Sequence, residues 1–271
     1  MTAALEAAAA APAAEPPVLR TDAAGIATLT LNRPQQLNAL SEAMLDALAD
    51  GLRALAEDPA VRVVVLAARG KAFCAGHDLK QMRARPELDY YRALFAKCSA
   101  VMHAIAALPV PVIAGVQGLA TAAGCQLVAQ CDLAVASTEA RFAVSGINVG
   151  LFCSTPAVAL SRAVGRKAAL EMLMTGDFID AAAALARGLV NRIAAPAELD
   201  AAVDALAAAI AAKSPVAVRT GKAMFARQLE MGLADAYAFA GEAMACNMMA
   251  EDAAEGIDAF IAKRKPAWRG R

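Results

Sequence analysis

VPVIAGVQGLATAAGCQLVAQCDLAVA, residues Val110 to Ala136, holds two short apolar runs around a segment of glycine, alanine and threonine. The run Val110 to Val116 and the run that begins at Asp132 are too short and too β-branched for helix, so both are expected as buried strands. Between them the pattern predicts a tight turn at Gly118 and a short helix opening near Ala122. Small residues at that start leave the first N–H groups open to close approach. Those groups have no intrahelical partner and lie at the positive end of the helix dipole. A helix end of this kind beside a strand end suits an anion or a developing oxyanion.

Outward from this stretch, strands and helices alternate. Val18 to Leu31 reads as a hairpin around Gly25, and Ser41 can cap a helix in which Leu45, Leu48, Leu52 and Leu55 recur at helical spacing. Val61 to Ala67 is a buried strand, and Leu88 to Ala107 a helix with Tyr91, Leu94, Cys98, Val101 and Ile105 on one face. A short strand near Phe142 precedes an irregular loop, SGINVGLFCSTP, and helices follow over Ala157 to Val164 and Lys167 to Leu173. From Pro196 onward the periodicity is helical throughout. The expected organisation is a tail over 1–16, an α/β core over 17–195 and a helical module over 196–271.

Lys+Arg 26 balance Asp+Glu 26, so no broad electrostatic pull on nucleic acid or an anionic membrane is expected. No apolar run reaches the ~18 residues of a membrane span. Charged residues are 19% and hydrophobic ones 59% of the chain, a balance that favours burial of surface between subunits. Residues 1–16 are alanine- and proline-rich without a basic start, so a flexible tail is expected in place of a secretory signal. Cys74, Cys98, Cys125, Cys131, Cys153 and Cys246 show no CxxC spacing, which argues against a disulfide framework or a metal site. A reducing cytoplasm is the expected setting. Met224, Met231, Met244, Met248 and Met249 in the last helices suit either helix packing or a subunit interface.

Five segments, in order, resemble the enoyl-CoA hydratase/isomerase (crotonase) superfamily: LNRPQQLNAL (31–40), AFCAGHDLK (72–80), PVIAGVQGLATAAGCQLVAQCD (111–132), INVGL (147–151) and AFIAKRKPAW (259–268). Within it, GHDLK, GLATAAGCQL and NVGLFCSTP resemble most the group called enoyl-CoA hydratase domain-containing protein 3. The resemblance implies an α/β fold, a crotonase-like spiral of ββα repeats with a C-terminal helical trimerisation module, and assembly as a trimer or dimer of trimers. It implies an acyl-CoA thioester as ligand, with coenzyme A present only as part of the substrate and no other cofactor. Two main-chain N–H groups polarise the thioester in that family; the matching positions are His77 and Ala123. By the same resemblance Gln36 and Leu37 begin a pantetheine channel, and Ala75, Gly76, His77, Asp78, Leu79 and Lys80, with Ala122, contact the thioester and coenzyme A. Lys80 and one of Lys263, Arg264 or Lys265 are candidates for a phosphate.

One departure bears on the chemistry. The hydratase pattern has two glutamates, and their positions are Gln126 and Gly146 here. Neither can exchange a proton at neutral pH, and no Asp or Glu lies between Arg141 and Leu170. General acid–base groups contribute roughly 10²- to 10⁴-fold each. Thioester binding is therefore supported more firmly than hydration. Two functions remain open: an enzyme of the hydratase/isomerase type, or an acyl-CoA-binding or regulatory protein that kept the pocket without the chemistry. GxGxxG, GxxxxGK[ST] and GxSxG are absent, which argues against nucleotide-binding and serine-hydrolase alternatives.

Overall fold

The computed structural model describes residues 15–271; of the expected tail, only Glu15 and Pro16 fall among them. Strands β1 (Val18–Ala23) and β2 (Ile26–Leu31) form an antiparallel hairpin. Ala24 and Gly25 take left-handed backbone there, as a two-residue turn matching strand twist requires. Helix α1 (Glu42–Ala56) starts where the Ser41 hydroxyl accepts from the Met44 N–H, and it buries Met44 and all four predicted leucines. Then come β3 (Val63–Ala68), β4 (Ala72–Cys74), α2 (Leu79–Ala84) and α3 (Leu88–Ala107). The central stretch gives β5 (Val112–Val116), β6 (Leu119–Thr121), α4 (Ala123–Gln130) and β7 (Leu133–Ser137). After it follow β8 (Arg141–Ala143), α5 (Ser154–Ala163), α6 (Arg166–Thr175), β9 (Ile179–Asp180), α7 (Ala181–Arg187) and β10 (Arg192–Ala194). The chain ends in α8 (Leu199–Ala211), α9 (Pro215–Gln228), α10 (Leu233–Met248) and α11 (Glu251–Ile261).

Two sheets organise these elements. One has six strands in the order β1-β2-β3-β5-β7-β10, the other four in the order β4-β6-β8-β9. Three successive units (β3 and β4, β5 and β6, β7 and β8) each send the first strand to the large sheet and the second to the small one, then return through helix. The result is the expected spiral of ββα repeats. Strands β2, β3, β5, β7 and β10 run parallel, and the central β3, β5 and β7 are covered on both faces. Along β3, Val64 and Leu66 enter the main core with Leu48, Phe73 and Leu127, whereas Val63 and Val65 point the other way. On that opposite face they meet Leu199, Val203, Leu206 and Ala207 of α8. By its packing α8 therefore sits with the sheet, although it lies beyond Pro196. Helices α9 and α10 bury no residue in the single chain.

Candidate functional site

A cavity of ≈ 340 Å³ opens between the turn after β4, the first turn of α4 and the loop from β8 to α5. The first contributes Ala75 and His77, the second Ala122 and Ala123, the third Ser145, Gly146 and Phe152 among others. Gly76 fixes the approach of the first two. With φ +86°, it is so close to α4 that an added Cβ would lie 2.9 Å from the Ala122 Cβ and 3.2 Å from the Ala123 nitrogen. The segment 36–40 runs alongside: the Leu40 N–H donates to the Gly76 carbonyl at 2.7 Å and the Ala75 N–H to the Leu37 carbonyl at 3.0 Å. Buried Asn38 braces it, its amide donating to the Arg69 and Ala72 carbonyls and its Oδ1 accepting from the Arg33 N–H. Asn38 is a structural residue, and nothing beyond its place in the LNRPQQLNAL segment singles it out in the sequence.

Ala122 adopts φ 51°, ψ −120°, a conformation that costs a non-glycine residue roughly 1–3 kcal/mol. Its own N–H donates to the Ala143 carbonyl at 3.0 Å, and the kink delivers Ala123 as the first residue of α4. Neither the Ala123 N–H nor the His77 N–H has an acceptor among the described residues. Two unused amides thus belong to residues on one cavity wall, brought side by side by a glycine.

The side chain of His77 does different work. Its ring stands edge-on to Phe95, with centroids 5.4 Å apart, and Nε2 is buried without a partner. Burial lowers its pKa from 6.5 to about 4, so the ring is neutral at physiological pH and is not a ready acid. Burial likewise pushes the Cys74 thiol up to about 12 and raises Cys153, which leaves both protonated and poor as nucleophiles.

Gly146 lies on the cavity wall with no room for a side chain. An added Cβ would lie 2.5 Å from the Leu151 carbonyl oxygen and 2.7 Å from the Cys153 Sγ. The loop folds back on this point: the Gly146 N–H donates to Cys153 Sγ at 3.3 Å and the Leu151 N–H to the Gly146 carbonyl at 2.9 Å. Gln126, one turn into α4, is buried with Oε1 unpartnered and is not among the residues that line the cavity. No carboxylate among the described residues lines it.

Other expected contacts spread outward. Leu79 lines the cavity, but Gln36, Leu37, Asp78 and Lys80 do not. Asp78 caps α2, accepting from the Lys80 and Gln81 N–H groups at 2.9 and 3.1 Å, and Lys80 is exposed. Lys263 and Lys265 are exposed, and Arg264 is held by Glu255 at 2.6 Å. Residues not singled out in the sequence complete the wall: Met82, Phe95, Phe152 and the hydroxyl of Ser145, 2.8 Å from that of Thr121. Phe95 follows Tyr91 by four residues, a spacing that carried the signal. Ser145 had none.

The profile of the enoyl-CoA hydratase/isomerase family matches residues 21–271. The chain belongs to that family. It is 49% identical to enoyl-CoA hydratase domain-containing protein 3, mitochondrial, of Xenopus laevis, over 90% of this chain and 83% of that one. The solved structure of an enoyl-CoA hydratase from Mycobacterium smegmatis is 63% identical, with TM-score 0.92 over 94% of this chain and 99% of that one. The structure of human enoyl-CoA hydratase domain-containing protein 3 is 47% identical, with TM-score 0.90 over 93% and 100%. These likenesses agree with the expected family, group and fold. The expected cytoplasmic setting is corrected by the same relatives, since those of Xenopus laevis and Homo sapiens are named as mitochondrial proteins. The cysteines, all six of which are free, do not decide between the two. Free thiols report a reducing environment and do not distinguish one such compartment from another.

Proposed function

We propose that this chain binds acyl-CoA thioesters in the cavity beside α4 and is an enzyme of the hydratase/isomerase type. The thioester carbonyl oxygen accepts from the main-chain N–H groups of His77 and Ala123. The observation that carries this is the pair of amides without acceptors, on residues of one wall, pressed together at Gly76. Such donors stabilise the negative charge that gathers on the oxygen as an enolate forms, and loss of one raises the barrier by roughly 2.7–4 kcal/mol. A main-chain donor needs no particular side chain, so a neutral, packed His77 can supply one. The acyl chain lies against Met82, Phe95 and Phe152, and Lys80 at the exposed end meets a phosphate of coenzyme A.

Proton transfer is the weak part of the machinery. By the family's pattern Gln126 and Gly146 stand where the two usual acids would, and no carboxylate among the described residues lines the cavity. Hydration is accordingly slow. The second reading, an acyl-CoA-binding or regulatory protein, draws on this same observation. Crotonyl-CoA separates them: slow loss of the conjugated thioester absorbance supports the enzyme, whereas calorimetric binding with no turnover supports the binder. No binding of any acyl-CoA removes both.

Assembly as a homotrimer or a dimer of trimers is part of the proposal. It is supported by the exposed apolar side chains on α9, α10 and α11.

A further inference from the structure

One polar feature of the cavity stands apart from the two amides. Thr121 ends β6, and Ser145 follows the end of β8 by two residues. Because β6 and β8 pair with Thr121 opposite Ala143, the two hydroxyls meet, Oγ1 to Oγ at 2.8 Å. Thr121 is buried; Ser145 is half-buried and lines the cavity. Two hydroxyls carry two protons, and only one of these lies between the oxygens. Neither oxygen has a further partner among the described residues, so the pair keeps one O–H and its remaining lone pairs open. Either hydroxyl can be the inner donor. Ser145 therefore offers an O–H in one arrangement and lone pairs alone in the other, able to meet a carbonyl or a hydroxyl.

Position narrows what that group is. Thr121 precedes Ala123 by two residues, and Ser145 lines the same cavity as Ala123, to whose amide the thioester carbonyl is assigned. Much of the remaining wall is apolar: Leu79, Met82, Phe95, Val149 and Phe152. An oxygen on the acyl chain would lose its hydration against those side chains unless a protein group replaced it. We propose that Ser145, oriented by Thr121, determines specificity for acyl chains bearing a hydroxyl or carbonyl oxygen within a few bonds of the thioester. The site then favours an oxygenated acyl-CoA over the saturated one of equal length. This rests on the acyl-CoA reading above.

Calorimetric titration of the full chain with butyryl-CoA, 3-hydroxybutyryl-CoA (each enantiomer) and acetoacetyl-CoA tests it. One neutral hydrogen bond corresponds to about a five-fold preference for an oxygenated ligand over butyryl-CoA. That ratio falls to about one in Ser145→Ala and survives in Ser145→Thr. Thr121→Val, which keeps the shape but frees Ser145 to rotate, lowers it without abolishing it. Equal affinities in the wild type, or a preference that persists in Ser145→Ala, overturns the assignment. If no acyl-CoA binds, including butyryl-CoA, the acyl-CoA reading itself fails and takes this one with it.

Discussion

At the scale of single residues, the site is defined as much by missing atoms as by present ones. Gly146 is the clearest case. Placing an acid there as Gly146→Glu meets the Leu151 carbonyl and the Cys153 sulfur before the carboxyl reaches anything. We expect no gain in crotonyl-CoA hydration from this change, and a loss of stability of about 1–3 kcal/mol from the overpacked loop, read as a lower urea midpoint. A rise in hydration rate without loss of stability would show that the loop yields freely. His77 offers a second test. Burial depresses its folded-state pKa from 6.5 to about 4, so between those values the unfolded chain binds more protons. The stability tied to the neutral ring is complete above about pH 6.5 and is lost as pH falls toward 4. Going from pH 7 to pH 5, the wild type is expected to lose about 1–2 kcal/mol that His77→Phe does not lose. Paired urea titrations of the two proteins check this, and parallel losses would place the ring in water.

At the scale of elements, the C-terminal helices are tied down by one buried carboxylate. Asp252 opens α11 and accepts from the Ser214 hydroxyl at 2.7 Å and from the Arg269 and Gly270 N–H groups at 2.6 and 3.1 Å. Burial pushes its carboxyl up, but these donors outweigh burial and hold it below the usual range. The Trp268 indole N–H adds a bond to the Ala212 carbonyl at the end of α8. In Asp252→Asn an amide N–H faces donors already in place, at a cost of about 1–3 kcal/mol. Hydrogen exchange should quicken in α9 and α11 and stay unchanged in β3 and β5. None of this was legible in the sequence, because the partners come from residues 38 and 17–18 positions away. Long elements with a repeating apolar pattern were legible: α1, α3, β3 and β5. The three-residue strands β4 and β6 were not, since so short a run cannot show alternation and only their pairing in the small sheet makes them strands. For α2 the signal existed in Asp78, whose side chain caps it. In α3, Tyr90 takes the deeply buried place expected for Tyr91, a shift of one residue around the helix. Of the site, the family's motifs pointed to His77 and Ala123, which line the cavity, and to Gly146, which lines it too, whereas Gln126 does not. The hydroxyl pair was not, because β6 and β8 bring together residues 24 positions apart.

At the scale of the whole molecule, the single chain leaves too much apolar surface uncovered in one region. Leu233 and Tyr237 of α10, Met249 beside it, and Phe260 of α11 are each more than 70% exposed, as 77%, 74%, 86% and 84%. Scattered apolar residues are ordinary on a surface, but so many large ones on consecutive helices fit the proposed contact between copies. The low share of charge in the sequence points the same way. Copies of the chain are the occupants that need no further molecule, and methionines such as Met249 suit the irregular contacts between them. In sedimentation velocity at micromolar concentration, the wild type is expected as one species heavier than a monomer. Tyr237→Asp with Phe260→Asp places two charges in that contact and should return the chain to the monomer, while far-ultraviolet circular dichroism is unchanged. The cavity residues lie on other elements, so the monomeric double variant also measures whether acyl-CoA binding needs a neighbouring subunit. A wild-type chain that sediments as a monomer would leave the exposed face to a different partner.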